Sequence, residues 1–176
     1  MEPTELERFE AVVLPHLDAA YTLARYLTRD ADDAQDIVQE ASLRAFRYFA
    51  GFRGNAPGEG RAWLLAIVRN TARTWRERNR HHAQATAFDE ELHSEGVAED
   101  HPEAAVVRKS EGEALREAID RLPTEFREVI VLRELEGLSY KEISDVAGIP
   151  VGTVMSRLSR ARRRLEEALC PATEDC

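Results

Sequence analysis

Gly137 to Leu165 reads G-L-S-Y-K-E-I-S-D-V-A-G-I-P-V-G-T-V-M-S-R-L-S-R-A-R-R-R-L. Ser139 followed by Glu142 has the spacing of a capping box, which predicts a helix start at Tyr140. Leu138, Ile143, Val146 and Ala147 give that helix an apolar side. Gly148 can adopt the left-handed backbone that ends a helix, and Pro150 prevents its continuation. A second helix then opens near Val151. Val154, Leu158, Ala161 and Leu165 recur at spacings of four, three and four, which makes one buried stripe. Helical rotation puts Gly152, Ser156, Ser159, Arg160 and Arg163 on the other side, with Arg157 and Arg164 on one flank and Thr153 and Arg162 towards the other.

A short helix, a glycine turn and a second helix with small polar residues at its start are the parts of a helix-turn-helix DNA reader. Small residues let the helix N-terminus approach base edges, and arginines hold phosphates or bind guanine. The alternative is a helical hairpin with a solvated arginine face. Five arginines and no acid occur from Gly148 through Arg164. A solvated helix ordinarily mixes its signs, so the stretch favours DNA.

The rest of the chain must be consistent with that reading. Its 176 residues suffice for one ordinary domain or two small ones, and the net charge is −9. An acidic total argues against a general nucleic-acid coat and against a polybasic membrane binder. The charge is unevenly placed, however. Residues 1–80 carry 12 acidic and 12 basic side chains, residues 81–107 carry 7 and none, and residues 108–176 carry 14 and 12. Two nearly neutral ends therefore flank an acidic middle. The acidic start M-E-P-T-E-L-E does not resemble a signal peptide, and no apolar run is long enough to span a bilayer, so the expected location is cytoplasmic. The two cysteines, Cys170 and Cys176, would close only a tiny loop. No C-x-x-C or metal-ligand spacing occurs, so neither metal nor cofactor is expected.

Residues 4–28 follow the helical period, with Pro15 predicting a kink or two shorter helices. Asp30 and Asp33 open a helix over about 31–49. Its Asp36, Gln39 and Glu40 share one polar patch, either a solvated face or a docking surface for a basic partner. Gly51 to Gly60 is a loop. Phe46, Tyr48, Phe49 and Phe52 lead into it, as in a pocket for an unstacked base or in a simple packing corner. The helix over about 61–80 puts Trp63, Leu64, Ile67, Val68, Thr71 and Trp75 on one side. Arg69, Arg73, Arg76 and Arg80 lie opposite as a ridge. Four like charges on one stripe repel, which favours a nucleic-acid track over a solvated face. Residues 81–102 lack a sustained period and read as an acidic linker that could fold against an arginine surface. A helix from Pro102 to about Leu122 and another from Pro123 to Gly137 would support the helix-turn-helix.

With the ridge and the helix-turn-helix in place, the chain resembles a bacterial RNA polymerase sigma factor of the extracytoplasmic-function group. The match covers roughly residues 8–80 and 108–168. Y-T-L-A-R-Y-L-T-R-D-A-D-D-A-Q-D-I-V-Q-E-A-S-L-R-A-F looks like the family's core-binding segment. F-R-G with W-L-L-A-I-V-R-N-T-A-R looks like its promoter-melting segment. L-P-T-E-F-R-E-V-I-V-L-R-E-L-E-G-L-S-Y-K-E-I-S with G-T-V-M-S-R-L-S-R-A-R looks like its promoter-reading domain.

The resemblance implies an all-α fold. Residues 1–80 would be the polymerase-binding and melting domain, 81–107 an acidic linker, and 108–176 the helix-turn-helix domain. It implies that Asp36, Gln39 and Glu40 grip core RNA polymerase. Phe52, Arg53, Gly54 and Asn55 would capture a flipped base of the downstream promoter element. Trp63 and Asn70 would act in melting, with Arg69, Arg73, Arg76 and Arg80 following the DNA backbone. Thr153, Ser156, Arg157, Arg160 and Arg163 would read the upstream element. An anti-sigma protein is the further partner that family habit implies.

Two features depart from that pattern. Pro57-Gly58-Glu59-Gly60 makes the loop longer than usual, and Met155 stands where a basic residue is common. One rival is a dimeric helix-turn-helix repressor or activator binding a palindrome unaided. Another is an enzyme built on His81 and His82, which lacks any nucleophile–base pairing in the sequence.

Overall fold

The computed structural model describes residues 2–56, 58–90 and 110–170, and the described elements are helical throughout. In chain order these are α1 (Glu5–Val13), α2 (Leu17–Thr28), α3 (Ala31–Tyr48), α4 (Glu59–Glu90), α5 (Glu111–Asp120), α6 (Thr124–Ile130), α7 (Tyr140–Ala147) and α8 (Val151–Leu169).

Local chemistry explains most of the boundaries. Thr4 closes a capping box with Glu7. Pro15 sits in a 3₁₀ turn, Leu14–His16, that separates α1 from α2. Its ring cannot supply the amide that an unbroken helix needs. Asp30 accepts from the amides of Asp32 and Asp33 at 2.9 and 3.0 Å, which starts α3. A π turn, Val131–Leu135, carries α6 on towards Gly137, whose φ of 66° ends the run.

Three sequence expectations are corrected. Glu59 and Gly60 already belong to α4, so the preceding loop is shorter than its glycines suggest. Glu59 closes it by accepting from the Asn55 and Ala56 amides at 2.7 and 2.9 Å. At the other end α4 runs on through the first ten residues of the expected linker. Alanine and glutamine at positions 83–87 favour helix strongly enough to extend it. The acidic stretch 91–109 lies outside the described residues, as does Cys176. The helix expected to run from Pro102 to about Leu122 begins instead at Glu111, where Ser110 caps it by accepting from the Glu113 amide at 3.3 Å.

α2, α3 and α4 pack around Leu23, Ile37, Leu64 and Val68, while α6, α7 and α8 pack around Ile130, Leu132, Ile143 and Leu158. The halves do not stand apart. α4 lies against α7, and α2 against α6, so both cores join in one apolar cluster. Leu65 and Ala72 reveal the consequence. By rotation they share the arginine side of α4, yet both are completely buried.

Candidate nucleic-acid interface

The helix-turn-helix forms from its local signals. Ser139 accepts from the Glu142 amide at 3.1 Å, and Glu142 accepts from the Ser139 amide at 2.7 Å. Gly148 adopts φ 66° and ψ 36° as the cap of α7. Ser144 Oγ then donates to the Ile149 carbonyl at 2.6 Å, holding the turn. Val154, Leu158 and Ala161 are buried, and Leu165 is half-buried. Ser156, Arg160 and Arg163 are exposed, while Thr153 and Arg157 are partly covered.

Two arginines of α8 find carboxylates on other elements. Arg157 pairs with Glu125 of α6 at 3.6 Å. Arg162 donates from Nε and Nη2 to Glu134 at 3.1 and 2.7 Å. That arrangement holds its proton more tightly than usual, with the hydrogen bond to Glu134 and then that with Tyr140 as the leading causes. Arg163 reaches Glu167 at 4.0 Å, and Arg164 lies over the Phe126 ring at 5.0 Å. Arg160 has no carboxylate within 4 Å among the described residues.

The ridge on α4 differs from its sequence reading in the same way. Arg69 Nε donates to Glu128 Oε1 of α6 at 2.6 Å, with side chains only 18% and 6% exposed. Arg73 pairs with Glu77 at 3.2 Å in the open. Arg76 and Arg80 have no such partner among the described residues. Burial, then Arg80, makes the Arg76 proton easier to lose than usual. A cleft of about 450 Å³ collects Arg69, Arg73, Arg76 and Arg80 from α4 with Arg157 from α8. From α8 only Arg157 is among its lining residues, so the flank of that helix meets the α4 ridge.

The loop before α4 is an aromatic corner. Phe52 lies 4.7 Å from Trp63 and 5.9 Å from Phe49, centroid to centroid. Gly54 leaves room for this ring, because a Cβ there would lie 2.3 Å from Phe52 Cζ and the ring would have to shift. Arg53 donates to the Ala50 carbonyl at 2.8 Å, and Asn55 and Asn70 are exposed. Trp63, half-buried, also lines a hollow with Lys141, Glu142 and Asp145 of α7. The Trp63 corner is thus bordered by α7.

Asp36, Gln39 and Glu40 are exposed on α3, with Glu40 paired to Arg44 at 2.8 Å. Leu43, 65% exposed, continues the same stripe at i+7 from Asp36 and was missed. The signal that could have found it was an apolar residue off the inner face marked by Ile37, Ala41 and Ala45. Among the described residues, no group of three or more His, Cys, Asp or Glu side chains could hold a metal ion, and no helix is long and apolar enough to cross a membrane.

The fold and these surfaces define an all-helical DNA-binding protein whose helix-turn-helix is joined to a second, arginine-ridged helical unit. Comparison with known proteins gives the particular family. Sigma-70 region 2 matches residues 12–82, and Sigma-70, region 4 matches residues 112–165. The RNA polymerase sigma-H factor of Pseudomonas aeruginosa is 36% identical over 169 residues, covering 93% of this chain and 86% of that protein. The ECF RNA polymerase sigma-E factor of Escherichia coli K12 is 33% identical over 158 residues, covering 86% and 81%. Among solved structures, the sigma factor RpoE of Bartonella quintana, in complex with the anti-sigma factor NepR, has a TM-score of 0.71. It is 29% identical, covering 94% of this chain and 99% of that one. The chain belongs to the sigma-70 family of RNA polymerase sigma factors, in the extracytoplasmic-function group. It is an initiation factor and not an enzyme.

Proposed function

We propose that this chain works in the cytoplasm as a promoter-specificity subunit of three parts. Residues 1–80 bind polymerase and melt DNA, residues 81–107 link, and residues 108–176 read the upstream element. Asp36, Gln39 and Glu40 form the polymerase-binding patch, with Leu43 as an apolar anchor beside it. Phe52, Arg53, Gly54 and Asn55 receive an unpaired base against the Trp63 corner. Arg69, Asn70, Arg73, Arg76 and Arg80 track the backbone nearby. Thr153, Ser156, Arg157, Arg160 and Arg163 contact the upstream duplex. The observation that carries the reading is that each family region holds one basic helical face, in the order the two promoter elements require.

DNA must first displace the carboxylates already on these faces. Glu128 of the C-terminal half occupies Arg69, so the halves have to separate to free the α4 ridge, whereas Glu125 occupies Arg157 within the C-terminal half and has to be displaced there. The likeness to RpoE bound to NepR supports control by an anti-sigma protein that acts on this closed arrangement. Run-off transcription with core polymerase tests the function. Asp36→Arg should abolish core binding and leave duplex contacts intact. Arg157→Ala should do the opposite. The same defect in both variants would refute the division of labour.

A further inference from the structure

A second cavity, of about 290 Å³, adjoins the basic cleft. It lies between the halves and brings together Arg29 from the end of α2, Arg76 from α4 and Arg127 from α6. No carboxylate is among its lining residues. Three guanidiniums from three elements, without an acid between them, repel one another across the junction.

Arg127 shows the effect most clearly. It is only 3% exposed, and its Nε–H has no hydrogen-bond partner. Other donors of its guanidinium reach Thr124 Oγ1 at 3.2 Å and the Asp120 carbonyl at 3.5 Å, the latter a long contact. Its acidity is shifted to about 10, first by burial and then by Arg29, with Arg76 adding to the shift. Asp120 and Glu128 act favourably on Arg127 and Arg76 respectively, yet neither lines the cavity, and Glu128 is already bound to Arg69. Buried cations in native proteins are ordinarily paired.

We infer that this cavity is a binding site for a small polyphosphate anion, which ties the end of α2 and α4 to α6. Planar guanidiniums match phosphate oxygens in pairs, and three of them suit a ligand with more than one phosphate. Thr124 accepts from Arg127 and has no acceptor for its own proton among the described residues, so it can add a donor. A bound anion would favour the closed form, because its contacts come from both halves. The inference rests on that closed packing and not on polymerase selectivity.

The test is calorimetric titration of the full chain, without polymerase or DNA, at physiological ionic strength. Inorganic pyrophosphate and ADP are the two probes. One pyrophosphate per chain should bind, and Arg29→Asn and Arg127→Gln should each weaken it about tenfold or more. Asparagine tolerates the left-handed backbone at Arg29, where φ is 63°, so that variant keeps the test valid should Arg127→Gln misfold. Arg8→Gln, which removes a charge outside this cavity, should leave binding unchanged. Equal affinity for both probes assigns recognition to the phosphates alone, and tighter ADP binding adds the base as a second determinant. Absence of saturable binding, or equal loss in Arg8→Gln and Arg29→Asn, overturns the inference. Failure here would leave run-off transcription untouched, so the two readings stand or fall separately.

Discussion

Replacing Glu128 with glutamine should open the molecule. Glu128 is the carboxylate that meets Arg69 at 2.6 Å across the two halves, and both side chains are largely removed from water. Two unit charges about 4 Å apart attract by roughly 4 kcal/mol at an effective dielectric of about 20. Desolvation offsets much of this in the intact pair. Glu128→Gln keeps the shape but leaves Arg69 charged and covered, a defect of about 3–5 kcal/mol where the charge cannot escape. Here it can escape, because separating the halves returns Arg69 to water. The penalty therefore shifts the closed–open balance, and a change on the order of 2–3 kcal/mol moves it roughly 30- to 150-fold. Small-angle scattering should show a larger radius of gyration for Glu128→Gln than for wild type. Duplex binding by the free chain should strengthen in parallel. Glu77→Gln is the control, since its pair with Arg73 is exposed and should matter by less than about 1 kcal/mol. Unchanged scattering and unchanged duplex affinity in Glu128→Gln would show that this ion pair does not hold the halves together.

Other substitutions probe the remaining links. Gly54→Ala forces Phe52 away from Trp63, so promoter opening should fall in a permanganate footprint while polymerase binding persists. Overpacking of that kind costs about 1–3 kcal/mol. Ser139→Ala removes the hydroxyl that accepts from the Glu142 amide at the start of α7, while its own amide can still donate to Glu142, and should cost about 1 kcal/mol by thermal unfolding. Arg160→Ala, at an exposed position without a carboxylate partner, should weaken upstream-duplex binding and lower its salt slope by about 1 if the contact is to a phosphate. Burial pushes the half-buried Glu136 carboxyl above its ordinary range, opposed in part by Arg61. Its charge is then less favourable in the folded state than in the unfolded one at neutral pH. Glu136→Gln should raise stability there by less than about 1 kcal/mol after solvent screening, and the gain should vanish as pH falls below about 4, where the carboxyl is protonated in both states. Melting temperature against pH checks the sign.

Much of the fold was legible because it follows from neighbours in sequence. The capping box at Ser139 and Glu142, the left-handed Gly148 and the stripe of Val154, Leu158 and Ala161 need only helical period and backbone sterics. Pro15 and Asp30 mark their boundaries in the same local way. The loop before α4 was less legible. Glycines at 58 and 60 read as loop, although Glu59 closes the preceding turn and begins the helix. The exposed Leu43 was hidden because attention to the inner face of α3 leaves its outer face unread.

Sequence by itself determined that this chain makes helices with two basic faces, since periodicity and charge spacing are properties of a single strand of residues. Which arginines remain available was a matter for the tertiary structure. Glu125, Glu128 and Glu134 lie far from Arg157, Arg69 and Arg162 along the chain, and only folding brings them within reach. Packing also decided that Arg157, on the flank of α8, shares a cleft with the α4 ridge, because burying Leu65 and Ala72 covers the side of α4 from which the ridge projects.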